Sequence, residues 1–553
     1  MPRLSTVSFL VGLAEDKPPN PMPIFILRTL LFCVVMFSFV GTAPLLFAQG
    51  AADAYNAVQA GINANSSGGF VPLNQLPASQ FPTYRPGDPL GGGPLFGGGL
   101  GMGSDWGSGG GGTASGGGGG AGGSTAGSGG GGGGGGIFIN PGGVLSRFTA
   151  WDNGRLSERQ MNVVRSSYTL NQDISAKSPM RCISLNLLEK AIIDAGGEIT
   201  IEMWYLAGIQ RITHVFYFPE SKDIVIAGPA EGWFPGYEGA RIGISTRQPV
   251  LELQDLVLAL RTYAPGRGEW DGIVGCSIDP TEEGNIRLQQ FVSQSAGLHP
   301  QAFANGVRQS IGMQTITVDG IPATTNAARM MVAADYRMKL IGLGLDAKPH
   351  SRLQTFIDHT VPNDPNAAFR WYFVPDYESV ILTKDRTGME LVGSGVKLVG
   401  ENEVVLSDGS RSTISGELDR GSRAFTQSFT RHYPQIAEKA LVFAQLRNWI
   451  DMLICAAHIQ REDFYGKSGW SMEFFASEEK FPLERFVEPK EVEPVVGLAV
   501  RGRSILAPVG GGIVIDAERA LDEAGQDSDG KIAERQKQIA LNLPDGVWWW
   551  DVR

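Results

Sequence analysis

The chain has 553 residues, 75 of them glycine, and a formal net charge of −11. An acidic chain without a dense Lys/Arg stripe repels phosphate backbones, which argues against nucleic-acid binding. Outside one glycine block, Leu, Ile, Val, Phe and Trp are frequent enough to bury a large core.

Residues 1–50 have the character of an export signal. Arg28 precedes an apolar run from Leu30 to Val40, and Ala48-Gln49-Gly50 places small residues at a cleavage site. Met22–Arg28 opens such a signal better than Met1–Asn20 does, so Met22 is a candidate start. The competing reading is an uncleaved anchor, since Thr29–Ala48 is 20 residues long and a bilayer needs about that many. Gly41, Thr42 and Pro44, with the cleavage site, favour removal. The expectation is an exported protein (periplasmic, cell surface or secreted) that meets a membrane only through this segment, and only if it is kept. Cys33 follows bulky Phe32 and makes a poor lipid box. Cys182, Cys276 and Cys455 are odd in number and apolar in context, so buried free thiols are expected.

Residues 51–136 form a tether. Of the 46 positions from Gly91 to Gly136, 29 are glycine, and Asp105 is the only charge. Such a segment cannot offset its ordering entropy by burial and is expected to be disordered. As a coil, those residues would span about 35–40 Å root-mean-square. Reach for the folded body and a neutral spacer are both open as its role.

A first α+β part is expected over 137–345. Cys182–Ala195 is predicted helical, stopped by Gly196-Gly197. Glu198–Leu206, Ile209–Phe218 and Asp223–Ala227 are predicted as an antiparallel meander of strands. Leu253–Tyr263, Asn285–Ser295, Gln301–Ser310 and Asn326–Leu345 carry helical patterns, with strands at Gly272–Ile278 and Gln314–Val318.

A second part, 346–553, either forms its own body or continues the first. Phe369–Val374 and Ser379–Lys384 are predicted to form a hairpin, with short strands at Glu390–Val392, Val396–Val399 and Val404–Leu406. Pro434–Arg461 is apolar on most sides and is predicted as a central core helix. Val495–Val500, Ser504–Pro508 and Gly512–Ile515 close the strand inventory. The fold class is therefore α+β, a mixed or antiparallel sheet body with packed helices.

Several runs together resemble a known family. They are Gly208–Ile212, Asp223–Trp233, Cys276–Thr281, Ala333–Lys339 and Leu446-Arg447-Asn448. They are similar to a planctomycete family catalogued as domain of unknown function 1598, with the likeness spread over 182–512. The resemblance implies an exported protein in a lineage with an unusual cell envelope. It carries over no activity and no catalytic residue.

Site signals are few. Asp279-Pro280-Thr281-Glu282 stands between a strand and a helix. It is expected to start that helix, with Asp279 as N-cap, Pro280 at the first position and Glu282 closing a capping box. The chemical alternative makes Asp279 and Glu282 a carboxylate pair with Glu231 as a third member. Asp527-Ser528-Asp529-Gly530 imitates part of a calcium loop, but Gly525 and Gln536 occupy its two main ligand positions, so a polar turn is expected. Gly466-Lys467-Ser468 echoes a phosphate loop, with Arg461 where the leading glycine belongs. His350, Asp358 and His359 are the only close histidine set, at a spacing that more often stays solvated. Neither a cofactor nor a metal is expected. Trp548-Trp549-Trp550 and Gly232–Tyr237 are expected to cover core, the alternative being exposed stacking surfaces for a sugar or a partner. The functional expectation is a structural or binding protein of the cell envelope, partnered by an envelope protein or a glycan. The alternative is a hydrolase that uses acidic groups.

Overall fold

Alternating β-branched and aromatic runs build two mixed sheets, and helices cover their faces. The computed structural model describes residues 135–149, 170, 172–236, 240–266, 271–359, 367–405, 411–413, 418–497, 499–501, 503–505, 509–540, 544 and 546–552. All of them lie in one unit, Pro77–Arg553. The expected export signal and the expected tether up to residue 134 lie outside the described residues. Gly135 and Gly136, assigned above to the tether, instead open the strand Gly135–Ile139.

The larger sheet runs, in spatial order, Gly135–Ile139, Val144–Thr149, Glu491–Val492, Gln314–Asp319, Ile273–Pro280, Val509–Asp516, Ala367–Pro375, Val396–Val405 and Arg411–Thr413. The smaller runs Gly525–Gln526, Val380–Leu382, Gly388–Leu391, His214–Phe218, Asp223–Ala230, Ser178–Ser184 and Trp549–Asp551. Each sheet draws strands from both sides of residue 345. The fold is α+β.

Period-two alternation explains why the smaller sheet's central strands, His214–Phe218 and Asp223–Ala230, are apolar on both faces. Val215, Tyr217, Ile224 and Ile226 face the main core, which also contains the inner face of the larger sheet. Phe216, Phe218, Val225 and Ala227 face the opposite way and pack on Ile532 and Ile539 of the helix Lys531–Ala540. Both faces are dry, so the two-sided hydrophobicity is required.

Several expectations need correction. Cys182 and Ile183 belong to the strand Ser178–Ser184, and the helix begins at Leu185. Ser184 does double duty: it ends the strand, and its hydroxyl accepts the Leu187 N–H as N-cap. Glu198–Leu206 is no strand: Thr200 caps a short helix, Ile201–Trp204, and left-handed Leu206 and Ala207 then turn the chain. The hairpin of 369–384 does not form. Ala367–Pro375 pairs with Val396–Val405 and Val509–Asp516, while Val380–Leu382 joins the other sheet. Val396–Val399 and Val404–Leu406 are pieces of one strand, Val396–Val405. The 434–461 helix is two, Tyr433–Lys439 and Leu441–Arg461, bent by 119° at Ala440. The second is buried along most of its length, as its all-round hydrophobicity predicts. Among the described residues no single helix is long and apolar enough to cross a membrane.

Candidate functional site

The three predicted carboxylates go to different places. Glu231 follows the strand Asp223–Ala230 and is 2 % exposed. Its Oε1 accepts the backbone N–H of Ser245 (3.0 Å) and of Thr246 (2.8 Å), the Thr246 hydroxyl (2.6 Å) and Gln210 Nε2 (3.1 Å). Burial alone would raise its pKa, but the hydrogen bonds from Thr246 and Ser245 outweigh that and hold the carboxyl below its usual range. The approach needs a glycine at 243, where a Cβ would stand 2.0 Å from Gln210 Nε2 and 2.2 Å from Glu231 Oε1.

Asp279 is not the N-cap. The strand Ile273–Pro280 runs through it, with Asp279 opposite Thr315 and Pro280 opposite Gln314. The cap falls to Thr281, whose hydroxyl accepts the Gly284 N–H at 3.0 Å. Glu282 is therefore the first residue of the helix Glu282–Gln294, exposed, and closes no capping box. Both Asp279 carboxylate oxygens accept from Arg370 Nη2, at 3.1 and 2.9 Å. Arg370 stands two strands away, directly opposite Gly510 of the intervening strand. A glycine there leaves room for the guanidinium to reach across.

A buried ion pair lies close to that bridge. Lys339 Nζ, on the helix Asn326–Gly342, donates to Asp335 Oδ2 (2.8 Å), the Gly511 carbonyl (3.1 Å) and the Ile278 carbonyl (3.3 Å). All three ammonium donors are used. Asp335 Oδ1 takes no hydrogen bond among the described residues. Burial pushes the Asp335 carboxyl up to about 6, against the pull of Lys339. Gly511 is held at φ +115°, and a Cβ on it would meet the Trp371 carbonyl oxygen at 2.0 Å. The glycine strand thus carries one ion pair across it and accepts a hydrogen bond from a second.

A third cluster was not foreseen, because three distant segments meet in it. Glu252, Asp255 and Glu484 approach one another beside Asn326 and Arg329, and Asn326 donates to Asp255 Oδ2 at 3.1 Å. The Arg329 guanidinium lies 3.9 Å from the centre of the Phe486 ring. Burial first, then the charge of Glu252, pushes Asp255 up to about 8 and Glu484 up to about 7. Burial brings Arg329 down to about 10. Such carboxyls keep their protons near neutrality and can donate them.

The remaining motifs are structural. Asp527 Oδ2 accepts the N–H groups of Ile532 and Ala533, so the calcium-like stretch starts a helix. Gly466–Ser468 lies within the short helix Phe464–Ser468, capped by Asp463. His350 stacks on His432 at 4.4 Å, while Asp358 bonds Thr355 and Lys348. Among the described residues no group of three or more His, Cys, Asp or Glu side chains is placed to hold a metal. Cys182, Cys276 and Cys455 are buried free thiols, and burial pushes Cys182 up to about 12. Trp233 and Phe234 are buried, which removes the exposed stacking surface at that loop, and Tyr237 lies outside the described residues. Trp549–Asp551 pairs with Ser178–Ser184, and Asp551 bonds Arg181 at 2.8 Å.

An α+β body with charged side chains gathered around a glycine strand is what fold and site together define. Residues 276–356 match the family described as Protein of unknown function (DUF1598). The matched segment contains Asp279, Glu282, Asp335 and Lys339. No curated protein and no solved structure matches the chain.

Proposed function

We propose that the chain is an exported protein of the cell envelope whose α+β body binds or scaffolds, held out on its glycine-rich tether. The observation that carries this reading is the use made of the predicted carboxylates. Glu231 Oε1 is saturated by four donors, Asp279 is clamped by Arg370, and Glu282 only begins a helix. Their chemistry goes into holding the fold. The signal-like residues 1–50 support export, and the glycine-rich composition that follows supports display at a distance. The likeness to a planctomycete family supports a host with an unusual envelope, and the partner classes are an envelope protein or a glycan. Fractionation of the native host, with N-terminal sequencing, tests the assignment. The expected product begins near Ala51 and lies outside the cytoplasm. A cytoplasmic protein that retains residues 1–50 would overturn it.

One observation favours hydrolysis by acidic groups as the second reading. Burial raises Asp255 to about 8 and Glu484 to about 7, so both can hold and release protons near neutrality, and they lie against a third carboxyl side chain, Glu252, in one patch. Turnover of ester or glycoside probes by the purified chain, lost in both Asp255→Asn and Glu484→Gln, would establish it. Turnover that survives both substitutions would dismiss it.

A further inference from the structure

Two arginines share one aspartate where the long helix Leu441–Arg461 meets the smaller sheet's connections. Arg211 Nε donates to Asp451 Oδ2 at 2.7 Å, and its Nη1 donates to the Gly393 carbonyl at 2.8 Å. Its Nη2 is closed off from solvent and has no hydrogen-bond partner among the described residues. Arg447 projects beside it from the same helix as Asp451 and donates no hydrogen bond among the described residues. The Arg447 Nε is likewise buried without a partner. Repulsion from Arg211 acts on Arg447 together with attraction to Asp451, Tyr433 and Glu438. Glu438 is exposed, so one buried carboxylate faces two guanidiniums.

The cover over this pair is a turn of small residues, Gly393-Ser394-Gly395, with both glycines at positive φ. A Cβ on Gly395 would stand 3.2 Å from Arg211 Nη2 and from Asp451 Oδ1, and 3.6 Å from Arg447 Cγ. The turn is fixed below by the Asp376 N–H, which donates to the Gly395 carbonyl at 3.0 Å, and it is open to solvent at Gly393. Unpaired donors on two neighbouring guanidinium groups that share one buried carboxylate, covered by a turn whose Gly393 is exposed and which must shift to admit a ligand, match the oxygens of an anion. A buried guanidinium nitrogen left without a partner costs free energy that such a ligand would recover.

We infer that Arg211 and Arg447, beneath the Gly393–Gly395 turn, form a binding site for a small oxyanion: a phosphoryl, sulfo or carboxylate group. The site is wired to the Glu231 network, because Asn448 donates to the Gln210 carbonyl at 2.9 Å and Gln210 donates to Glu231. It does not depend on where the protein resides.

Thermal melts and titration calorimetry of the full chain with inorganic phosphate, sulfate and acetate, at ionic strength fixed by chloride, test the site. The expected result is a midpoint that climbs with oxyanion concentration, as ligand linkage to the folded state requires. Phosphate and sulfate acting without acetate would assign a tetrahedral group, and acetate alone a carboxylate. Arg447→Gln should bind about tenfold more weakly, the loss of one charge-assisted contact, while melting in chloride at or above the wild-type midpoint. Arg447→Lys, which keeps the charge and loses the fork, should fall between the two and serves if the glutamine variant does not fold. Lys480→Gln, an exposed change of equal charge, should leave the response intact. The inference fails if no oxyanion outperforms chloride, if Arg447→Gln responds like wild type, or if Lys480→Gln abolishes the response.

Discussion

The two ends of the helix Asn326–Gly342 treat charge in opposite ways. Near its start, Asn326 and Arg329 meet three carboxylates, Glu252, Asp255 and Glu484. Farther along, Asp335 and Lys339 meet one to one, and two backbone carbonyls complete the ammonium's shell. The matched pair can be fully buried because each charge brings its counter-charge. The unmatched group remains partly exposed and sheds its excess by holding protons. Burial raises the carboxyls at both ends, and what differs is the company: Asp335 has a bonded ammonium, whereas Asp255 and Glu484 have a further carboxyl in Glu252.

The largest effect should come from unbalancing the balanced end. Lys339→Met leaves Asp335 buried without its partner and should cost about 3–5 kcal/mol in denaturant unfolding. Adding Asp335→Leu should recover most of that loss. A double variant as unstable as the single one would show that the ammonium acts through the Ile278 and Gly511 carbonyls instead of through charge balance.

At the other end the signature is a pH slope. The folded state raises Asp255 to about 8 and Glu484 to about 7, so it favours their protonated forms. That contribution is complete below about pH 4, where the unfolded carboxyls are also protonated, falls away as pH rises above that, and is fully lost once pH has passed through about 7 for Glu484 and about 8 for Asp255. Asp255→Asn should therefore flatten the fall in melting temperature between about pH 4 and about pH 8, raising stability at and above about pH 8 and leaving it little changed near about pH 4. Identical slopes in wild type and variant would erase the contrast between the two ends.

Smaller effects sharpen the picture around Asp279. Thr281→Ala removes a true N-cap and should cost about 0.5–2 kcal/mol. Asp279→Asn breaks a partly exposed bridge to Arg370 and should cost at most about 1 kcal/mol. Glu282→Gln, exposed in the first turn, should stay within about 0.5 kcal/mol. Unfolding midpoints of the three variants give the ranking directly, and a reversed order would return the cap to Asp279.

Much of the fold was visible in the sequence wherever one local signal dominates. Leu253–Thr262, Glu282–Gln294 and Pro300–Ile311 follow from periodicity, and Asp223–Ala230 from its β-branched run. Errors fall where two local signals compete. Thr200 is a β-former and a helix cap at once, and the cap prevails at Ile201. The run 279–282 fits a capping box as well as Thr281 alone fits a cap, and only the strand partner at Thr315 decides between them. Strand pairing was opaque, because Ala367–Pro375 finds its parallel neighbour more than 130 residues downstream at Val509–Asp516. The charged clusters were hidden for the same reason. Glu252, Arg329 and Glu484 share no local pattern, although Asp335 and Lys339, one turn apart in an alanine- and methionine-rich helix, carry a recognisable mark of burial.

The strand Val509–Asp516 also sets a timetable. It lies between Ile273–Pro280 and Ala367–Pro375, neighbours that precede it in the chain by well over a hundred residues. On a ribosome the larger sheet stays split along its middle until that segment appears. The smaller sheet waits longer still for the edge strand at Trp549–Asp551. Long-range pairing of this kind slows closure. A chain that cannot finish folding until its last strands emerge stays open for the whole of its synthesis, and an interruption before residue 509 would leave two open sheet edges for proteases to find.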